Sequence, residues 1–131
     1  MNFKAIVVDD DEICLLVHKQ IISISGFHPE PRSFSSGEQA LVFLQDLPPD
    51  ADPVMLFLDI NMPVMNGWEL LDILHQESFK TPIAVVMVSS SVNRNDKEKA
   101  STYSKVIDFI EKPFTLNAMI DLKKKLSGIA V

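Results

Sequence analysis

Three stretches of the chain are apolar without interruption: Ala5-Ile6-Val7-Val8, Val54-Met55-Leu56-Phe57-Leu58 and Ile83-Ala84-Val85-Val86-Met87-Val88. They are rich in β-branched residues and do not alternate with polar ones. That is the pattern of strands covered on both faces, as in a parallel sheet. Two weaker segments, Phe27–Phe34 and Val106–Glu111, read as edge strands. Pro29 and Pro31 cannot donate ladder hydrogen bonds in the first, and Asp108 and Glu111 interrupt the second.

Helical spacing fills the intervals. Ile13, Leu16, Val17, Ile21 and Ile24 form one apolar stripe, stopped by Gly26. Ser35 with Glu38 resembles a capping box ahead of Ala40, Leu41 and Leu44. Leu47 to Pro53 is loop-forming. Trp68–Leu74 predicts a third helix and Asn95–Tyr103 a polar fourth, and Thr115 can cap a fifth that carries Leu116, Met119, Ile120 and Leu126. A βα unit repeated five times predicts an α/β fold with helices on both faces of a doubly wound parallel sheet. With the strong strands central and the weak ones at the edges, the expected arrangement is flavodoxin-like, (βα)5 with strand order 2-1-3-4-5.

The length of 131 residues fits one domain, and 47% hydrophobic content excludes a disordered chain. A net charge of −6 argues against nucleic-acid and anionic-membrane surfaces and suits cations or basic partners. The N-terminal Met1-Asn2-Phe3-Lys4 lacks a signal-peptide layout, and no apolar run approaches a membrane span, so a cytoplasmic protein is expected. A single cysteine, Cys14, leaves no internal disulfide and reads as a small core residue. His18, His28 and His75 lack ligand spacing and read as surface or boundary residues. Lys123-Lys124-Lys125 reads as a solvated helix face.

In open α/β sheets, ligands bind beyond the carboxyl ends of the strands. Asp9, Asp10 and Asp11 follow the first strand, Asp59 and Asn61 the third, Ser89, Ser90 and Ser91 the fourth, and Lys112 the fifth. Clustered carboxylates repel one another unless a cation lies between them, and hard oxygen donors suit Mg²⁺ or Mn²⁺. A carboxylate can attack phosphorus to give an aspartyl phosphate, whose transfer a metal, a lysine and a hydroxyl would stabilise. Asp11 also suits a helix cap, and Ser91 an ordinary loop position with an influence on hydrolysis.

Four segments, Val7-Val8-Asp9-Asp10-Asp11, Leu58-Asp59-Ile60-Asn61-Met62-Pro63 with Asn66-Gly67, Met87-Val88-Ser89-Ser90 and Glu111-Lys112-Pro113-Phe114, resemble the receiver domains of bacterial response regulators in order and spacing. The resemblance spans residues 1–131 as one receiver domain without an output domain. It implies that Asp59 is the phosphoacceptor, with Ser89 and Lys112 contacting the phosphoryl group. Asp9, Asp10, Asp59 and the backbone carbonyl of Asn61 would hold Mg²⁺ or Mn²⁺, and Ser89 and Phe109 would form the switch. A cis bond at Lys112-Pro113 is also implied. Ser stands at 89 where Thr is commoner, and Phe at 109 lacks the hydroxyl of a Tyr. The implied partners are a sensor histidine kinase or phosphotransfer protein and a downstream protein on the face of the fourth helix, fifth strand and fifth helix, where a homodimer is also open. The protein would catalyse only its own phosphorylation and dephosphorylation.

Two other functions compete. A receiver-like adaptor would bind partners without phosphorylation. A metal-dependent phosphatase resembling the haloacid dehalogenases would need an acid two residues after the nucleophile, where this chain has Asn61.

Overall fold

The computed structural model describes residues 3–90 and 93–129; Ser91 lies outside them. The elements run β1 (Lys4–Val8), α1 (Glu12–Ile24), β2 (Arg32–Phe34), α2 (Gly37–Gln45), β3 (Val54–Asp59), α3 (Gly67–Gln76), β4 (Ile83–Ser89), α4 (Arg94–Ser101), β5 (Val106–Glu111) and α5 (Leu116–Ile129). All strands pair in parallel, in the order β2-β1-β3-β4-β5. This is the flavodoxin-like order expected from the strength of the apolar runs.

Side-chain alternation along each strand divides the core in two. Ile6, Val8, Leu56, Leu58, Val85 and Met87 face a layer built on α2, α3 and α4, with Ala40, Leu44, Leu70, Leu71, Leu74 and Ala100. Ala5, Val7, Phe57, Val86, Val88 and Ile110 face α1 and α5, meeting Leu15, Ile22, Met119 and Leu122. By the same alternation Asp9, Asp59 and Lys112 continue the second set beyond the strand ends. The site is therefore roofed from the α1/α5 side.

Several local expectations are corrected. Of the α1 stripe, Ile13, Leu16 and Ile24 are exposed, and the buried face is Leu15, His18 and Ile22. Both sets have helical spacing, and only docking on the sheet decides between them. His18 is thus a core residue, 1% exposed, while His28 is half-buried and His75 exposed. Cys14 is half-buried beside the α1 N-cap and does not lie in the core. The second strand keeps only Arg32–Phe34 of the expected Phe27–Phe34, because Gly26 turns the chain at φ +77° and the two prolines withhold donors. The cap of α2 is Ser36, whose hydroxyl accepts from the Gln39 amide at 3.2 Å, and not Ser35.

Residues 62–66 form a tight connection to α3. Val64 has φ +65° and is 86% exposed, a conformation costly for a β-branched residue and not compensated by packing. Left-handed backbone costs about 1–2 kcal/mol, and the greater unfolded-state freedom of glycine returns part of it. Val64→Gly is expected to stabilise the protein by about 0.5–1 kcal/mol in denaturant unfolding; a loss of stability would show that Val64 makes a compensating contact.

Candidate functional site

The carboxyl rim of the sheet gathers the polar residues singled out in the sequence. Val8 pairs with Leu58, so Asp9 and Asp59 leave neighbouring strands one step further along. Asp9, Asp59 and Ser89 are buried, at 1%, 3% and 1% exposure. Asp10 is exposed. Each of Asp9, Asp10 and Asp59 offers a carboxylate oxygen such that the three lie within 4.8 Å of one another.

Lys112 reaches over this cluster from β5. Its Nζ lies 2.7 Å from Asp9 Oδ2 and 3.3 Å from Asp59 Oδ1. Its backbone N–H donates to Ser89 O at 2.8 Å, fixing the turn to the end of β4. The expected cis bond is present at Lys112-Pro113. Burial alone would pull the Lys112 ammonium down, but its hydrogen bond to Asp9 and the charge of Asp59 outweigh that and hold it above its usual value.

The two buried carboxylates are not equivalent. Asp9 Oδ1 accepts from the Asp11 amide at 2.9 Å and Oδ2 takes the lysine, so both oxygens are engaged. Asp59 has one oxygen on Lys112, while Oδ2 is buried without a hydrogen-bond partner among the described residues. Burial, and next the Asp9 charge, push Asp59 up to about 6; Lys112 and the Asn61 backbone N–H only partly offset this. An orphaned carboxylate oxygen beside two further carboxylates is the arrangement a divalent cation relieves. Hard oxygen donors fit Mg²⁺ or Mn²⁺. Asp9, Asp10 and Asp59 would hold it.

Local sequence explains the placement of the flanking loops. Asp11 caps α1, accepting from the Ile13 and Cys14 amides at 2.9 and 3.2 Å, which holds its own carboxyl below the usual range. Asn66 and Glu69 form a reciprocal capping box at the start of α3. Gly67 N–H donates to Ile60 O at 2.8 Å. A Cβ on Gly67 would lie 2.5 Å from Asp59 O, so α3 begins directly against the backbone of the central acid. The Asn66-x-x-Glu69 spacing is a local capping signal that the expected start at Trp68 did not use, whereas the close approach of Gly67 has no local signal.

The other residues singled out in the sequence stand as follows. Asn61 is exposed in the loop after Asp59. Phe109 is half-buried against the α2/α3/α4 core layer. Thr115 caps α5 through its hydroxyl, which accepts from the Ala118 amide at 3.1 Å. Helix α4 buries only Ala100. Its other anchors are Lys99, with Nζ 4.5 Å from the centre of the Trp68 ring, and the following Tyr103, which stacks on Trp68 and donates to Asp72 Oδ1 at 2.5 Å. That hydrogen bond to a carboxylate, with some burial, pushes the Tyr103 hydroxyl up to about 12.

A five-stranded parallel sheet carrying buried acids and a lysine on its carboxyl rim defines a receiver-type α/β module. The response regulator receiver domain family matches residues 5–124, and the chain belongs to that family. It is 32% identical over 123 residues to the transcriptional regulatory protein PrrA of Mycobacterium leprae, covering 94% of this chain and 49% of that protein. It is 26% identical to the chemotaxis protein CheY of Thermotoga maritima, covering 97% of this chain and 99% of CheY. A two component response regulator from Cytophaga hutchinsonii superposes with a TM-score of 0.84 at 32% identity, covering 96% of this chain and 97% of that one. The chain therefore spans about half the length of PrrA but nearly all of CheY. Two-component signal transduction is the setting of the family. No helix among the described residues is long and apolar enough to cross a membrane.

Proposed function

We propose that this protein accepts a phosphoryl group from a phosphohistidine onto Asp59 in a Mg²⁺-dependent reaction and so switches the binding of a partner. The observation that carries the reading is Asp59 Oδ2, a buried carboxylate oxygen with no hydrogen bond among the described residues, beside an Asp9 whose two oxygens are both engaged. A lone pair of that oxygen forms the O–P bond while the P–N bond to the donor imidazole breaks. Lys112 turns from Asp59 toward a phosphoryl oxygen without leaving Asp9, and the Ser89 hydroxyl donates to another. The metal, when bound, neutralises the carboxylates and the charge of the transferring group. Asp9, Asp10, Asp59 and the Asn61 carbonyl would hold it. The protein would turn over only its own acyl phosphate.

The outer stripe of α1 supports docking of the donor. Ile13 and Leu16 are 74% and 59% exposed in the first two turns of the helix that follows Asp9 and Asp10. Apolar surface at the rim of the site suits a helical phosphohistidine protein lying across α1. On the output side, movement of Ser89 and Phe109 would reshape the α4–β5–α5 face, where Ile107, Leu116 and Ile120 stand exposed for a downstream protein or a second copy of this chain.

The test is intact mass after incubation with acetyl phosphate. A single phosphoryl adduct is expected with Mg²⁺ and none with a chelator. Absence of an adduct despite bound Mg²⁺ would replace this reading with a phosphorylation-independent adaptor. Leu16→Glu should leave acetyl phosphate labelling unchanged but slow transfer from any phosphohistidine protein that labels the wild type, by about tenfold; equal rates would remove α1 from the docking surface.

A further inference from the structure

His18 is a buried ionisable residue that the chemistry above does not use. It lies in α1 between Leu15 and Ile22, 1% exposed, and its Nε2 has no hydrogen-bond partner among the described residues. Burial pushes the imidazole down to about 4, so the ring is neutral at ordinary pH. A leucine there would match the neighbouring buried positions and avoid an orphaned nitrogen, which costs about 1–3 kcal/mol. What leucine lacks is a flat face.

That face is in use. The His18 ring stacks on Phe114 at 3.9 Å between centroids and 23° between planes. Phe114 also meets Phe57 of β3, two residues before Asp59, at 5.6 Å and 40° between planes. Phe114 is 1% exposed and follows Lys112 by two residues. The segment carrying the site lysine is thus held at two points: the Lys112 amide on Ser89 O, and the Phe114 ring between α1 and β3.

We propose that His18 is a positioning residue for Lys112: its ring clamps Phe114 against Phe57 and thereby holds the Lys112 ammonium on Asp9 and Asp59. The proposal rests on the reading of Lys112 as the partner of the phosphoryl group, but the placement of the ammonium can be read separately from any phosphorylation. An ammonium fixed on two carboxylates opposes a divalent cation drawn to the same two side chains. Loosening it should therefore tighten Mg²⁺ binding while slowing phosphoryl transfer.

The experiment is a double-mutant cycle on the full chain, read by Mg²⁺ calorimetry and by the rate of acetyl phosphate labelling. His18→Leu keeps the volume without the flat face and is expected to bind Mg²⁺ about threefold more tightly and to label about tenfold more slowly. His18→Phe keeps the stack and should stay within about twofold of wild type in both. In a Lys112→Met background His18→Leu should change neither quantity. Wild-type behaviour of His18→Leu, an undiminished effect in the Lys112→Met background, or a His18→Phe protein as impaired as His18→Leu would each overturn the proposal. If the wild type takes no phosphoryl group but the Mg²⁺ cycle behaves as described, the clamp stands and the phosphoacceptor reading falls.

Discussion

Asp59→Asn is expected to take up no phosphoryl group and, in the absence of metal at neutral pH, to be more stable than the wild type. The loss follows from removing the oxygen that the proposed reaction bonds to phosphorus. The gain follows from the cluster itself. Folding raises the Asp59 pKa from 3.8 to about 6, so at intermediate pH the native state keeps a proton that the unfolded chain has released. Stability from this group is full below about pH 4, falls as pH rises to about 6, and stays lost above it. The shift corresponds to about 2–3 kcal/mol. A neutral isostere removes that penalty while Lys112 keeps its 2.7 Å contact with Asp9. Thermal melts with chelator across this range should therefore slope downward with pH for the wild type and lie flatter for Asp59→Asn. Adding Mg²⁺ should narrow the gap between them by stabilising the wild type more. A phosphoryl adduct on the variant would move the acceptor elsewhere. A metal-free variant less stable than the wild type would refute the electrostatic account.

The second large effect is expected at Gly67→Ala, about 3 kcal/mol of destabilisation in denaturant unfolding with a roughly 10²-fold slower labelling. The added methyl would sit 2.5 Å from Asp59 O and 2.9 Å from Ile60 Cα. Both are backbone atoms of the strand end and its first loop residue, so no rotamer change relieves the overlap. Relief requires α3 to move away or Asp59 to tilt, and either disturbs the oxygen that faces phosphorus in the proposed reaction. Gly37 offers the contrast: its nearest neighbours for a Cβ are Met65 Sδ and Cγ at 3.1 and 3.2 Å. A flexible thioether can yield, so Gly37→Ala should cost less than about 1 kcal/mol. Equal stability losses at the two glycines would show that the backbone clash at Gly67 is not what limits substitution.

Both predictions concern residues that are visible in the sequence, but for different reasons. Asp59 and Lys112 stood out because each follows a predicted strand, and βα alternation sends all such positions to one rim. The Leu58-Asp59 and Lys112-Pro113 junctions were thus readable as site residues before any contact was known. Gly67 was visible only as part of the Asn66-Gly67 step in the family pattern, without a reason for it. Nothing local says that the start of α3 lies against the Asp59 carbonyl.

The first helix shows the limit most clearly. Ile13, Leu16, Val17, Ile21 and Ile24 offer an apolar face at helical spacing, and so do Leu15, His18 and Ile22. Periodicity cannot rank two faces of one helix that is apolar nearly all round. The sheet chose the second, which buried His18 and left Ile13 and Leu16 at the edge of the site.

By itself, then, the sequence determined the alternation of strands and helices, the central place of three apolar strands and the rim on which acids, serine and lysine meet. Those follow from short-range pattern and from the handedness of βα connections. The tertiary structure alone decided which carboxylate oxygen is left unpaired, which face of α1 is buried and what holds Phe114. Those depend on burial and on distances between residues far apart in the chain, where desolvation and packing, not local propensity, set the outcome.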